Sequence, residues 1–221
     1  MAFSLNTMPQ NMLNACKNTS IVVYCTLIES MPMVGGKDET VSAYIDMVND
    51  CIRSASPSWD EAVENLVREM FAVRGRGGTV YFVGNGGSAG IAAHMSADFQ
   101  KAGGFKTMNF YDPALITCMA NDYGYEQVFS KPLDLFAKEG DALVAISSSG
   151  NSINVVNAAE MAKAHRCRVI TLTGFSPDNR LRGQGDVSVY IPSFSYGIVE
   201  SLHNMLLQQV IDVIQERDRK E

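Results

Sequence analysis

The chain predicts an α/β fold in which helices cover both faces of a parallel sheet. Strand and helix patterns alternate from residue 78 to the C-terminus, the order that lays crossover helices over both faces. Two strands run directly into polar loops, Gly84-Asn85-Gly86-Gly87-Ser88 and Ser147-Ser148-Ser149-Gly150-Asn151-Ser152. In such sheets, ligands bind at the carboxyl ends of the strands. With 221 residues, 46% hydrophobic and 19% charged, the chain can bury one full core and carry an appendage.

Residues 1–37 form an N-terminal extension with no assigned role, and a single domain is expected over 38–221. The apolar run Ile21 to Ile28 is too short for a bilayer, which needs about 20 residues. Lys17 is the only positive charge before that run, and no good cleavage site follows it, so no signal peptide is expected. Gly35-Gly36 marks a boundary. Asp38 or Thr40 can then cap a helix over Val41 to Ser54, whose stripe is Val41, Tyr44, Ile45, Val48, Cys51 and Ile52. Ser56-Pro57-Ser58 breaks the chain before a second helix, Trp59 to Val73, with Ala62, Leu66, Met70 and Val73 at helical spacing.

The first strand, Gly78 to Val83, is rich in β-branched and aromatic residues, and a helix from Ala89 to Gln100 follows its loop. Thr107 to Tyr111 reads as a strand, Pro113 to Asn121 as a helix, and Glu126 to Glu139 as another helix. The strand before the serine loop is Ala142 to Ile146, and Val155 to His165 is helical. Arg168 to Gly174 and Val187 to Ile191 are the last strands. A final helix from Gly197 to Glu216 carries Ile198, Leu202, Leu206, Val210 and Ile214, an apolar stripe suited to a neighbouring subunit.

A net charge of −6 and a pI near 5.1, with scattered basic residues, argue against a nucleic-acid surface. Any bound anion must therefore be held locally. Cys16, Cys25, Cys51, Cys118 and Cys167 contain no CxxC pair and read as reduced, buried small hydrophobes of a cytoplasmic protein with no membrane anchor. The two loops supply the local anion site. Four hydroxyls, a glycine that lets backbone approach a ligand, and the free N–H groups of a helix start converge where a strand ends, which suits a phosphate monoester.

Gly84 to Ser88, His94, Asn121-Asp122-Tyr123-Gly124, Ile146 to Ser152 and Thr171-Leu172-Thr173-Gly174 together resemble the sugar isomerase (SIS) domain family, in its phosphoheptose isomerase branch. The resemblance runs over residues 40–216. It implies a doubly wound five-stranded parallel sheet, a homotetramer, and sugar phosphate bound at subunit interfaces. It also implies that Ser147, Ser148, Ser149 and Ser152 contact the phosphate. Asn85, Gly86, Gly87 and Ser88 of the first loop, with Asn121 and Asp122, would line the sugar.

Interconverting a ketose and an aldose phosphate needs a base that moves a proton between adjacent carbons, and an acid for the oxygens. Relatives offer His and Glu on the helix after the first loop, then Gln and His on the last helix, a set that can also hold zinc. The corresponding residues here are His94, Asp98, Glu200 and Gln208, so three of the four depart from the pattern. Asp98 is one methylene short, which moves its carboxylate by about 1.5 Å, and a 1 Å misplacement can cost on the order of a hundredfold in rate. Gln208 cannot exchange a proton. Glu200 and His203 lie three apart on one helix face, so the expected roles are Glu200 or Asp98 as base and His203 as acid. The other reading of His203 is a hydrogen-bonded interface residue.

No cofactor is required, but zinc is possible: His94 and Asp98 share a face at i and i+4, and Glu200 could add a third ligand. The resemblance implies isomerisation of sedoheptulose 7-phosphate or a similar sugar phosphate. The alternative is a non-catalytic sugar-phosphate-binding or regulatory protein, like relatives that associate with a replication initiator. Asp98 and Gln208 favour that alternative, whereas the serine loop and Glu200 favour the enzyme. Among the aromatics, Tyr123, Tyr125 and Phe129 read as packing residues with an option of sugar contact.

Overall fold

The computed structural model describes residues 41–220. The N-terminal extension, with its apolar run, its two cysteines and the Gly35-Gly36 boundary, lies outside the described residues. Two helices open the fold, α1 (Val41–Arg53) and α2 (Trp59–Gly75). Then follow β1 (Thr79–Gly84), α3 (Gly87–Gly103), β2 (Lys106–Asn109), α4 (Pro113–Tyr123), α5 (Ser130–Phe136) and β3 (Ala142–Ser147). The chain continues through α6 (Ile153–Ala164), β4 (Arg168–Thr173), β5 (Val187–Tyr190) and α7 (Tyr196–Asp218).

All five strands are parallel, in the order β2-β1-β3-β4-β5. The central strands are apolar nearly throughout, and every residue of β3 is buried, as a strand covered on both faces must be. α2, α3 and α7 pack on one face, while α5 and α6 close the other over Tyr81, Val83, Leu143 and Val169. The chain thus leaves β1 toward one face and β3 toward the other, which makes the neighbouring ends of β1 and β3 a topological switch point. Register aligns those ends, pairing Gly84 with Ile146 and Ser147 with Thr173.

Several expectations change. The segment Glu126 to Glu139 is not one helix but a 3-10 turn, Tyr125–Gln127, followed by the short α5. Pro132 is the cause: lacking an N–H, it is tolerated only in a first turn, so the helix begins at Ser130. α4 runs two residues past its expected end at Asn121, through Asp122 and Tyr123, until Gly124 at φ 90° ends it. The α7 stripe expected to meet a neighbouring subunit is core instead, because Ile198, Leu202, Leu206, Val210 and Ile214 are all buried within this chain. The stripe on α2 is buried as expected. Cys51 and Cys167 are buried free thiols, whereas Cys118 is exposed rather than buried. Burial pushes the Cys167 thiol up to about 11.

Candidate active site

At the end of β3 the serine loop is held by its own backbone. The Gly150 N–H donates to both the carbonyl and the hydroxyl of Ser147, at 3.0 and 3.1 Å. Gly150 sits at φ 63°, and a Cβ there would overlap the Asn179 side chain, so only glycine fits. Asn179 is itself buried and fixed: its amide donates to the Gly174 and Ser176 carbonyls, and its Oδ1 accepts the Arg182 N–H. Ser147 and Ser148 are buried, whereas Ser149 and Ser152 remain half-buried at the loop's surface.

Ser152 begins α6 without capping it, since its Oγ accepts from the Ser147 hydroxyl at 3.3 Å. The N–H groups of Ile153 and Asn154 have no acceptor within the helix, and here no side chain takes their place. α3 likewise starts at Gly86, which has no side chain to cap it. By contrast, Asp112 and Ser195 cap α4 and α7 through Leu115 and Ile198. The two helices that open on the switch point therefore keep their N-terminal donors for an anion.

Asn85 and Asn154 lock the two loops together. Each amide donates to the other's Oδ1, at 2.8 and 2.9 Å. Asn154 was not anticipated; its signal is a polar residue at a buried position beside Val155 and Val156. Tyr125 donates its hydroxyl to Asn85 at 3.1 Å, and Tyr111 donates to the Gly84 carbonyl at 3.0 Å. Of the aromatic trio, Phe129 is core, Tyr123 lies under Lys131, and only Tyr125 reaches the loops. Burial raises the Tyr111 phenol well above its usual range, so it stays a hydrogen-bond donor.

Gly86 and Gly87 form the turn into α3, and Ser88 is buried behind them. A Cβ on Gly87 would overlap the Glu200 carboxylate, so the glycine makes room for Glu200 at the α3 N-terminus. One residue earlier, Val199 packs on Gly174, whose N–H donates to the Ser148 carbonyl at 3.0 Å. Glu200 thus sits between the first loop and the strand end that supports the serine loop. Burial raises its carboxyl above the ordinary value, which makes it a stronger base.

Farther along the same helix pair, Asp98 Oδ2 lies 3.1 Å from His94 Nε2 and accepts the Gln208 amide at 3.1 Å. His94 is exposed and Asp98 partly so. Asn121 and Asp122 are exposed on α4, with the Asn121 amide donating to Asp122.

The structure does not bring His203 to the crevice as an acid. Its side chain is fully buried, and Nε2 donates to the Thr173 carbonyl at 3.2 Å while Nδ1 faces the interior without a partner. Burial lowers its pKa to about 4, so it is neutral at pH 7. His203 shares the α7 sequence spacing of Glu200 but points into the core. Nor are His94, Asp98 and Glu200 brought together as a metal set: among the described residues, no three His, Cys, Asp or Glu side chains converge on one point. His165 ends α6 beside Asp134, at 2.8 Å.

The SIS domain family matches residues 43–174. The chain is 34% identical to the phosphoheptose isomerase of Sodalis glossinidius over 162 residues, 71% of this chain and 81% of that protein. It is also 34% identical to the phosphoheptose isomerase of Fusobacterium nucleatum over 157 residues, 69% and 80% of the two chains. The phosphoheptose isomerase GmhA from Neisseria gonorrhoeae superposes with a TM-score of 0.72 at 29% identity, over 80% of this chain and 97% of that one. With the switch-point loops, the five-stranded order and these matches in agreement, the chain belongs to the SIS domain family.

Proposed function

We propose that this chain is a sugar-phosphate isomerase that interconverts sedoheptulose 7-phosphate and an aldose phosphate. The observation that carries this reading is the position of Glu200, held by Gly87 at the mouth of the α3 N-terminus beside the locked pair of loops. The names of its relatives, phosphoheptose isomerases at 34% identity, supply the substrate. Ser149, Ser152 and the unpaired N–H groups at the start of α6 would hold the phosphate without a lysine, as an acidic protein requires. Asn85, set by Asn154 and Tyr125, would face the sugar hydroxyls.

Glu200 would take the proton between the two reacting carbons and return it to the neighbour through an enediol, a transfer by a positioned base typically contributing 10²–10⁴-fold, in order of magnitude. Its partly desolvated carboxylate matches that task. The Asp98 carboxylate, carried with His94 on α3, is the second group available to the sugar oxygens.

The working unit in this proposal is a homotetramer in the cytoplasm, with no membrane or nucleic-acid partner. No residue of α4 is buried in the single chain, although the helix is largely apolar. Tyr44 and Ile45 of the expected α1 stripe are exposed too. Exposed apolar surface on this scale marks an interaction site, and light scattering should give four chains per particle. Among the described residues, no helix is long and apolar enough to cross a membrane.

The test is incubation with sedoheptulose 7-phosphate in deuterium oxide. Aldose phosphate carrying solvent deuterium is expected. Tight binding without exchange would instead identify a sugar-phosphate-binding or regulatory protein.

A further inference from the structure

The zinc site that the family resemblance implies can be tested on the side chains where α3 meets α7. A catalytic zinc takes three protein ligands with free lone pairs. At this seam His94 and Asp98 approach one another at 3.1 Å, and the third member is Gln208, which presents its amide N–H to Asp98 at 3.1 Å. A carboxylate only accepts, so the group facing it from Gln208 must be the donor end of the amide, with no lone pair to give a metal. Glu200 does not complete the set within the chain: its carboxylate is seated against Gly87, and among the described residues it does not converge with His94 and Asp98 on one point. The residues do not fit zinc.

We propose that Gln208 converts this seam into a His94–Asp98–Gln208 relay of close polar contacts in place of a zinc site, and that the reaction runs without a metal. The Gln208 amide donates to Asp98 Oδ2 and fixes that short side chain, and the same oxygen stands 3.1 Å from Nε2 of the exposed His94 ring. Gln208 is thus a positioning residue. It acts across a sequence separation of 110 residues, tying the helix that follows the first loop to the helix that carries Glu200. The metal-free reaction rests on the isomerase reading above, whereas the relay does not.

The test counts zinc. The full chain, purified without chelator, is dialysed against zinc chloride and then against metal-free buffer, and bound zinc is measured per chain. The wild type should retain far less than one zinc. Gln208→His, which replaces the amide donor by a ligating imidazole, should retain about one, with affinity raised about 100-fold or more, the upper end of what even an outer-shell partner contributes. Turnover by the wild type should be unchanged by EDTA. Stoichiometric zinc in the wild type that disappears in His94→Ala would overturn the relay, as would failure of both Gln208→His and the double variant Asp98→Glu/Gln208→His to gain zinc. Loss of wild-type turnover in EDTA would overturn the metal-free reaction. A wild type inert toward sedoheptulose 7-phosphate sinks the isomerase reading instead and leaves the zinc counts to decide the seam.

Discussion

In the serine loop, the hydroxyls of Ser147 and Ser149 are fixed by neighbours a few residues away, with the Gly150 N–H on Ser147 and the Asn151 N–H on Ser149. Across the α3–α7 seam the reverse holds, because Gln208 reaches Asp98 over 110 residues and Glu200 relies on the missing side chain of Gly87. The loop is a local device that can be inherited whole. The seam is an agreement between two helices, so one substitution on either changes its chemistry. Binding and turnover therefore sit in differently constrained parts of one crevice, and perturbing each part should affect a different constant.

Removing the charge of Glu200 should have the largest effect. Glu200→Gln keeps the shape and should lower turnover by about 10²–10⁴-fold while leaving KM close to wild type, as steady-state kinetics would show. Next is His203, which fastens α7 to the end of β4. With its folded pKa lowered from 6.5 to about 4, only the unfolded chain binds a proton between those values. Stability is then full above pH 6.5 and falls as pH drops toward 4, by about 3 kcal/mol in all. Urea unfolding at pH 7 and 4.5 checks this, and His203→Leu should abolish that part of the dependence.

Ser149→Ala probes the other side of the comparison. Loss of one hydroxyl to a charged phosphate costs about 1.5–3 kcal/mol, so KM should rise by roughly ten- to a hundredfold with kcat held. The smallest effect is expected far from the crevice, where Arg217 pairs with Glu64 on exposed surface. Arg217→Ala should change stability by less than about 1 kcal/mol and leave both constants alone, as denaturation and kinetics together would show.

The same contrast explains what the sequence made legible. Five strands and both loops follow from short-range pattern: β-branched runs, glycines and serine clusters report on neighbours in the chain. The α5 boundary was missed because Pro132 acts through a single absent N–H amid otherwise helical spacing. The α7 stripe showed which face is apolar but not what covers it, and the cover is this chain's own core. His203 and Glu200 have the spacing of one face, yet the helix turns one imidazole inward to the Thr173 carbonyl and leaves the carboxylate at the crevice. Asn154 gave only the weak signal of polarity at a buried position, and its partner is 69 residues away.

The most direct test of the division between binding loop and reacting seam is one nuclear magnetic resonance experiment: Glu200→Gln with saturating sedoheptulose 7-phosphate in deuterium oxide. Broadened phosphate and sugar signals that report wild-type binding, together with no deuterium at the reacting carbons, is the result predicted. Deuterium incorporated at the wild-type rate would remove Glu200 from the chemistry, and loss of binding would show that the seam and the serine loop are not separate devices.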